Sequence, residues 1–328
     1  MKKKVAIVTF GALLYGLCPP VSAQQPAKIP RIGRLGASSV SADLVRREAF
    51  RQGLRELGYV EGKNIYIEWR DAEGKRDRLP ALAVELVRLK LDIIVTGGGN
   101  ATRAVKEATS TIPIVMAQSA DPVADGYVAS LARPGGNITG LSNLVPELNG
   151  KRLELLKEIV PRLSRVAVFG TSTAGVNAQN LREVELAARA FGVKLQYLDV
   201  LKPRDFETAF QAATKGRAEA ILMLVWGPIL NPRRKEVAEL AVKSRLPAIY
   251  LDREHVEAGG LMTYGVSEAD LDRRAASYVD KILKGAKPAE LPVEQPKKFE
   301  FIINLKAAKQ IGLTIPPAVL YQADKVLK

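Results

Sequence analysis

Short apolar runs alternate along the chain with longer segments whose apolar positions recur near the helical period. Residues 31–36 and 92–96 are such runs, and the second is nearly all apolar, which is typical of a parallel strand covered on both faces. The segment after the first run has apolar positions spaced as on one helical face: Leu44, Phe50, Leu54 and Leu57. Asp121-Pro122, a capping residue before a proline, predicts another helix that ends at Arg133. This alternation predicts an α/β doubly wound sheet.

The same order of elements begins again in the second half of the chain. Five landmarks recur at offsets of 124 to 134 residues, including the helix-ending pair Gly58 and Gly192 and the strand-opening pair Pro113 and Pro247. Such an ordered set of matches indicates an internal duplication with small loop insertions. The expected architecture is two similar α/β lobes, with the C-terminal tail returning to both lobes or lying across them.

The N-terminus has the pattern of a secretory signal peptide. Three lysines precede an apolar run that is interrupted only by Thr9, and Val21-Ser22-Ala23 supplies small residues before a cleavage point. Lipid anchoring at Cys18 is disfavoured, because Tyr15-Gly16-Leu17 lacks the small residues wanted before a lipidated cysteine. Cleavage after Ala23 is therefore expected, which predicts a periplasmic protein.

Composition narrows the chemistry. The 328 residues include one histidine and one cysteine, too few for histidine–cysteine zinc, haem or iron–sulfur sites. A Ser-His-Asp triad would depend on His255, which is expected in a solvated loop among charged residues. An enzyme that uses carboxylates or lysine is still possible, but the sequence shows no pairing of a nucleophile with a general base. We therefore expect a protein that is not an enzyme and needs no cofactor or metal.

The charge is basic, at +14, and removal of the leader's three lysines leaves 46 basic against 35 acidic residues. Such a surface favours nucleic acid, anionic lipid or acidic solutes, but export argues against nucleic acid. A repressor of the sugar-responsive type would need a DNA-binding helix-turn-helix before the first strand, where a signal peptide is expected instead, so this function is not expected. No later apolar run approaches the ~20 residues of a membrane span, so the mature chain is expected to be soluble.

Ligands of open α/β sheets bind outside the carboxyl ends of the strands. The loops there are rich in hydroxyl, amide and glycine residues, which suits a polar small molecule held by neutral hydrogen bonds and helix N-termini. The candidate ligand-binding residues are Ser38, Ser39, Gly98, Asn100, Ser119, Asp121, Thr171, Ser172, Asn177, Trp226 and Asp252. Several of them have an alternative role as helix caps, and Trp226 as a core residue.

Some motifs resemble a known family. The sequence from Ser119 to Val123, the run from Ser130 to Gly140, and Pro292-Val293-Glu294-Gln295 are similar to those of the tryptophan/tyrosine-type periplasmic substrate-binding proteins of ABC transporters. The resemblance extends from about Arg31 to the C-terminus. It implies a type I periplasmic-binding fold, with two Rossmann-like lobes joined by crossing strands and a ligand cleft between them.

The resemblance also implies a division of the chain. The expected parts are a signal peptide (1–23), a linker (24–30), an N-terminal lobe (31–141 with about 266–292) and a C-terminal lobe (142–265 with about 293–328). An amino-acid ligand would need an acidic partner for its ammonium, such as Asp121 or Asp252. Backbone amides near Ser38-Ser39 and Thr171-Ser172 could receive its carboxylate, and Trp226 could stack on a ring.

The expected function is an extracytoplasmic solute-binding protein of an ABC importer, which captures a small polar or amino-acid-like ligand by closure of two lobes. Its expected partners are that ligand and an ABC permease in the inner membrane, and it is expected to be a monomer. The alternative is a periplasmic sensor that presents its liganded state to a membrane receptor.

Expression in a Gram-negative host with the native leader should yield a periplasmic protein that starts at or near Gln24. The lysine, apolar and small-residue series is the signal for that processing. N-terminal sequencing and intact mass measure the outcome. A chain that starts at Met1, or at an acylated Cys18, would contradict the prediction.

Overall fold

A computed structural model describes residues 28–328 apart from 144, 175 and 226–228. The predicted leader and Trp226 lie outside the described residues. The strands are β1 (Arg31–Gly36), β2 (Tyr66–Asp71), β3 (Ile93–Gly97), β4 (Ile114–Gln118), β5 (Ile138–Gly140), β6 (Arg165–Gly170), β7 (Lys194–Asp199), β8 (Ala220–Met223), β9 (Ala248–Tyr250), β10 (Met262–Val266), β11 (Phe299–Asn304) and β12 (Lys325–Leu327). The helices are α1 (Val40–Glu56), α2 (Leu79–Arg88), α3 (Gly99–Ala108), α4 (Val145–Ile159), α5 (Asn177–Phe191), α6 (Asp205–Lys215), α7 (Arg234–Lys243), α8 (Arg253–Glu257), α9 (Glu268–Leu283), α10 (Leu305–Gln310) and α11 (Pro317–Gln322).

The first sheet has five parallel strands in the order β2-β1-β3-β4-β5. Successive residues of β3 face opposite sides, so Ile94 packs with α2 and α3 while Ile93 and Val95 pack with α1 and α9. Both faces are therefore covered by helices, as the nearly continuous apolar run indicates. We call this sheet and these four helices the first lobe.

The second sheet has seven strands in the order β12-β11-β10-β9-β8-β6-β7. All its pairings are parallel except that of β10 with β11. One apolar core lies under α4, α5, α10 and α11, and a second lies under α6 and α7. We call this sheet, its helices and the short helix α8 the second lobe.

Helix α9 belongs to the first lobe although it follows a strand of the second. Its residues Leu271, Ala275 and Val279 are buried against Phe50 and Leu54 of α1. The chain then returns along the first lobe, where the Glu294 amide donates to the Gly140 carbonyl (3.0 Å), before it enters β11. The chain thus passes between the lobes after β5, after β10 and before β11, with the tail shared by both.

The buried face of α1 differs from the predicted apolar stripe. Phe50 and Leu54 are buried, but Leu44 is 56% exposed and Leu57 is 40% exposed. The buried face continues towards the N-terminus of α1 through polar residues, with Asp43 and Arg47 inside. The cause is a group of charged partners at that end of the lobe, which binds these side chains in place of apolar contacts.

The predicted helix after Asp121 is wrong, because the structure has a single turn there. The Asp125 amide donates to the Asp121 carbonyl (3.0 Å) and the Tyr127 amide to the Pro122 carbonyl (2.8 Å). Gly126 then adopts a left-handed conformation (φ 68°), which ends the turn. The Tyr127 hydroxyl donates to the Gly99 carbonyl (2.8 Å), so the segment is tied to the start of α3.

The packing of α9 on α1 predicts opposite effects for two glycine-to-alanine substitutions. A Cβ at Gly53 would lie 2.1 Å from the Arg273 carbonyl oxygen, whereas one at Gly150 in α4 would lie 3.8 Å from the Ala187 Cβ. Gly53→Ala should therefore lower the free energy of unfolding by about 1–3 kcal/mol through overpacking. Gly150→Ala, the control, should raise it by about 0.5–1 kcal/mol through helix propensity. Urea unfolding measures both, and equal shifts would contradict this helix packing.

Candidate functional site

The strand-end loops of the two sheets meet. In each lobe the parallel strands end at one edge, from which the candidate loops emerge. The Gln179 side-chain amide at the start of α5 donates to Asp121 Oδ2 in the loop after β4, at 2.9 Å. The two edges therefore face each other, and the loops between them form an interlobe cleft.

The loops after β1 and β3 bring four candidate residues to the first-lobe edge. Ser38 is half-buried and its hydroxyl accepts from the Arg46 guanidinium at 3.4 Å. Ser39 is also half-buried, and its carbonyl accepts from the Asp43 amide at 3.1 Å. Gly98 has a φ of 104°, which lets its carbonyl accept from the Thr102 amide and hydroxyl at the start of α3. Asn100 is exposed on the first turn of that helix.

Ser119 is the most deeply placed candidate of the first lobe. It is 1% exposed, and among the described residues its hydroxyl has no hydrogen-bond partner. Its carbonyl accepts from the Asn143 amide at 2.9 Å, which ties the loop after β4 to the segment that leads into the second lobe. The side-chain oxygen of Asn143 is likewise buried without a partner among the described residues. Buried polar atoms of this kind are costly unless something pairs with them.

Asp121 is both a cap and a lobe contact. Its Oδ1 accepts from the amides of Val123 (3.2 Å) and Ala124 (2.9 Å), as a capping aspartate does, although only one turn follows. Its Oδ2 accepts from Gln179 of the second lobe. Both oxygens therefore have partners from the chain itself.

The loop after β6 carries three candidates within one hydrogen-bond group. Asn177 Oδ1 accepts from the Thr171 amide (3.1 Å), and its amide group donates to the Tyr197 hydroxyl (3.1 Å). The Thr171 hydroxyl donates to the Val200 carbonyl at 2.9 Å. Ser172 is exposed and binds Asp199 through both its amide (2.8 Å) and its hydroxyl (2.6 Å). These bonds fix the shape of the loop and the first turn of α5.

Asp252 lies after β9 and caps α8. Its Oδ1 accepts from the His255 amide at 3.3 Å and also pairs with the His255 ring nitrogen Nδ1. Burial alone would raise the pKa of Asp252, but His255 and the bonds that the carboxylate accepts lower that pKa to about 2. His255, predicted in a solvated loop, is instead 1% exposed and stacks on Tyr250, with ring centroids 5.5 Å apart.

Several buried carboxyl groups surround Arg46. Arg46 of α1 donates to Glu268 at the start of α9 at 2.5 Å. Burial raises the pKa of Glu268, opposed by the charge of Arg46. Burial, followed by the charges of Asp252 and Glu268, raises the pKa of Glu254 in α8 to about 8. Asp43 of α1 also lies against Arg46, at 2.7 Å, so this guanidinium is surrounded by carboxyl groups from three helices.

Sequence reasoning missed Arg46, Gln179, Glu254 and Glu268. Each lies in the first turns of a helix that follows a strand, where a charged or amide residue resembles an ordinary solvated position. Their position was a usable signal, because the candidate residues were chosen from the same kind of place, the start of a helix that follows a strand. Among the described residues, no group of three His, Cys, Asp or Glu side chains is arranged to hold a metal ion.

The arrangement is one for binding rather than chemical conversion. Two Rossmann-like parallel sheets present polar loops to a shared cleft, and the chain crosses between them three times, which defines a type I periplasmic-binding fold. A model of the ABC transporter substrate binding protein family matches residues 39–327, and the chain belongs to that family. The family is one of substrate-binding proteins and not of enzymes.

Proteins similar to this chain are known from several bacteria. A tyrosine-binding protein of Clostridioides difficile is 26% identical over 269 residues, which span 81% of this chain and 76% of the relative. The crystal structure of a conserved domain protein from Vibrio cholerae is 30% identical, with a TM-score of 0.84 over 91% of this chain and 100% of that one. An ABC domain from Streptococcus pneumoniae in complex with L-Trp is 26% identical, with a TM-score of 0.83 over 91% and 99% of the chains.

Because Glu254 is buried near other carboxyl groups, its ionisation should lower the free energy of unfolding as the pH rises. Because its pKa in the folded protein, about 8, lies above the ordinary value, the folded state binds this proton more tightly than the unfolded chain does. Stability from this group is full below about pH 4.5 and is lost as the pH rises through 8. Glu254→Gln should therefore raise the free energy of unfolding at pH 8 by on the order of 1–3 kcal/mol, and by much less at pH 5.

Urea unfolding at the two pH values measures the effect. The exposed Glu257 of the same helix serves as a control, and Glu257→Gln should change stability by less than about 0.5 kcal/mol at both. An equal gain for Glu254→Gln at pH 5 and pH 8 would contradict the electrostatic cause.

Proposed function

We propose that this chain is the extracytoplasmic binding component of an ABC importer and that it captures a small amino-acid-like ligand by closure of the two lobes. The observation that carries the proposal is the meeting of the strand-end loops across the cleft, where Gln179 of one lobe bonds Asp121 of the other at 2.9 Å. A cleft bounded by two separate lobes can enclose a ligand on all sides and release it when the lobes part.

The class of ligand is proposed from the cleft and the relatives together. A relative is named for binding tyrosine and a similar structure contains L-Trp, so a free amino acid is the first class to test. An α-ammonium group would suit the carboxyl groups of Glu254 and Glu268, because a cation beside them would offset the repulsion that raises the pKa of Glu254. The Ser119 hydroxyl, which has no partner within the described part of the chain, offers a donor for an α-carboxylate.

The site we propose consists of the candidate loop residues of both lobes: Ser38, Ser39, Gly98, Asn100, Ser119, Asp121, Thr171, Ser172, Asn177, Trp226 and Asp252. We also propose the lobe division given above, with residues 266–292 assigned to the first lobe. The permease partner, the monomeric state and the periplasmic location belong to the same proposal. In the described part of the chain, no helix has both the length and the apolar character needed to cross a bilayer.

Native mass spectrometry of gently purified protein, followed by calorimetric titration with each of the twenty standard L-amino acids, tests the ligand class. We expect one ligand per chain, with at least one amino acid bound at a micromolar or lower dissociation constant, which corresponds to roughly −8 kcal/mol or better. The reason is that closure desolvates the ammonium and carboxylate against fixed polar groups. Folded protein that binds none of the twenty would contradict this ligand class.

A further inference from the structure

We propose that Gln179 and Asp121 form a latch, a hydrogen bond that holds the two lobes closed and so determines how long the ligand stays bound. The inference deepens the proposed function and rests on it. Gln179 is a positioning residue, since it acts on the ligand through closure and need not touch it, whereas Asp121 belongs to the proposed site and also to the latch.

The latch joins elements that belong to different sheets. Asp121 lies in the loop after the fourth strand of the first lobe, and Gln179 lies in the first turn of α5 in the second. The amide nitrogen and the carboxylate oxygen are 2.9 Å apart, and both side chains are half-buried. A hydrogen bond to a charged group is stronger than one between neutral groups, more so when partly removed from water. Parting of the lobes must break this bond.

The second-lobe partner is held in place before closure. Asn177, two residues before Gln179, bonds the Thr171 amide and the Tyr197 hydroxyl. Asn180, one residue after it, accepts from Asn149 at 3.1 Å, and Asn149 accepts from the buried Arg152 at 2.7 Å. The helix end is therefore anchored on both sides of Gln179. Little backbone freedom remains to be lost when the latch forms, which favours a tight contact.

The first-lobe partner is fixed as well. The amides of Val123 and Ala124 hold Asp121 Oδ1, which orients the carboxylate and leaves Oδ2 for Gln179. The capping role of Asp121 thus serves the lobe contact. It follows that replacement of Asp121 should affect the ligand through residue 179, and that this dependence is measurable.

The charges around the latch explain why a neutral amide suits position 179. Asp125 of the first lobe and Glu147 of the second lie close to Asp121. Burial, followed by the charges of Asp121 and Glu183, raises the pKa of Glu147. Burial also raises the pKa of Asp125, opposed by the charge of Arg103 and reinforced by the charge of Asp121. A carboxylate at position 179 would increase this repulsion between the lobes, whereas an amine would be attracted by it.

The test measures dissociation and association rates by stopped-flow for the tightest-binding amino acid of the twenty-member panel. Gln179→Ala should speed dissociation roughly ten-fold, while association changes less than about two-fold, because the bond forms after encounter. Gln179→Glu should dissociate faster still and slow again as the pH falls to 5. Gln179→Lys should dissociate no faster than wild type.

The control is Gln211→Ala, which removes an exposed glutamine from α6 of the same lobe and should leave both rates unchanged. A double-mutant cycle of Asp121→Asn with Gln179→Ala separates the latch from direct ligand contact. Effects that do not add identify action through the latch. Effects that add would show that Asp121 acts on the ligand without Gln179 and would overturn the proposal, as would equal rates for Gln179→Ala and Gln211→Ala.

Small-angle scattering of the ligand-free variants tests the latch without any ligand, so the latch and the proposed ligand class can fail independently. If no amino acid binds, the proposed ligand class fails, yet Gln179→Glu should still have a larger radius of gyration than Gln179→Lys at pH 8. Equal radii for these two variants would overturn the latch itself.

Discussion

The two-lobe fold depends on a buried ion pair between Arg34 and Asp272, which holds α9 on the first lobe. Arg34 lies in the first strand and Asp272 lies 238 residues later in α9, and their side chains approach to 2.6 Å with almost no exposure. Burial raises the pKa of Asp272 to about 6, opposed by the charge of Arg34. Breaking such a pair would leave an uncompensated buried charge, a cost of about 3–5 kcal/mol. The pair therefore favours one placement of α9, on the first lobe, and with it the crossings that join the lobes.

Several buried polar side chains lie where the interlobe crossings approach the strand ends. Gln118, at the end of β4, also donates to Asp272 at 3.2 Å, so the ion pair is joined to the loop that holds Ser119 and Asp121. In the second lobe, Arg152 is wholly buried and donates to the Tyr264 carbonyl of β10, just before the chain crosses to α9. Burial lowers the pKa of Arg152 to about 9. The apolar cores stabilise each lobe, while these polar chains fix how the lobe edges present their loops.

The sequence predicted the parts of the fold that depend on local pattern. The duplicated strand–helix order and the glycine that ends α5, where Gly192 adopts a left-handed conformation, are confirmed. Helix α1 was placed correctly, but its buried face was wrong, because Asp43 and Arg47 are buried by partners distant in sequence. The spacing of apolar residues within α1 cannot reveal partners that lie far away in the sequence.

The candidate site likewise has residues that the sequence could predict and residues that it could not. Residues at strand ends could be chosen from topology alone, because ligands bind there in open α/β sheets. His255 was misassigned because charged neighbours suggested solvent, whereas its burial depends on Tyr250 and Asp252. Gln179 was missed because its role arises from a contact between the lobes, with Asp121, 58 residues away in sequence. Glu268 was missed because its partner within the first lobe, Arg46, is 222 residues away in sequence. Such contacts exist only in the folded molecule.

The distance between the two lobes reports most directly whether they close on a ligand as rigid bodies. Spin labels at Glu85→Cys in α2 and Glu239→Cys in α7, whose native side chains are 54% and 68% exposed, would report that distance in a chain whose single natural cysteine lies in the predicted leader. Pulsed electron resonance should give a longer, broader distribution without ligand and one shorter, narrow distribution when the ligand is bound. An unchanged distribution at saturation, with binding verified by native mass spectrometry, would contradict the account.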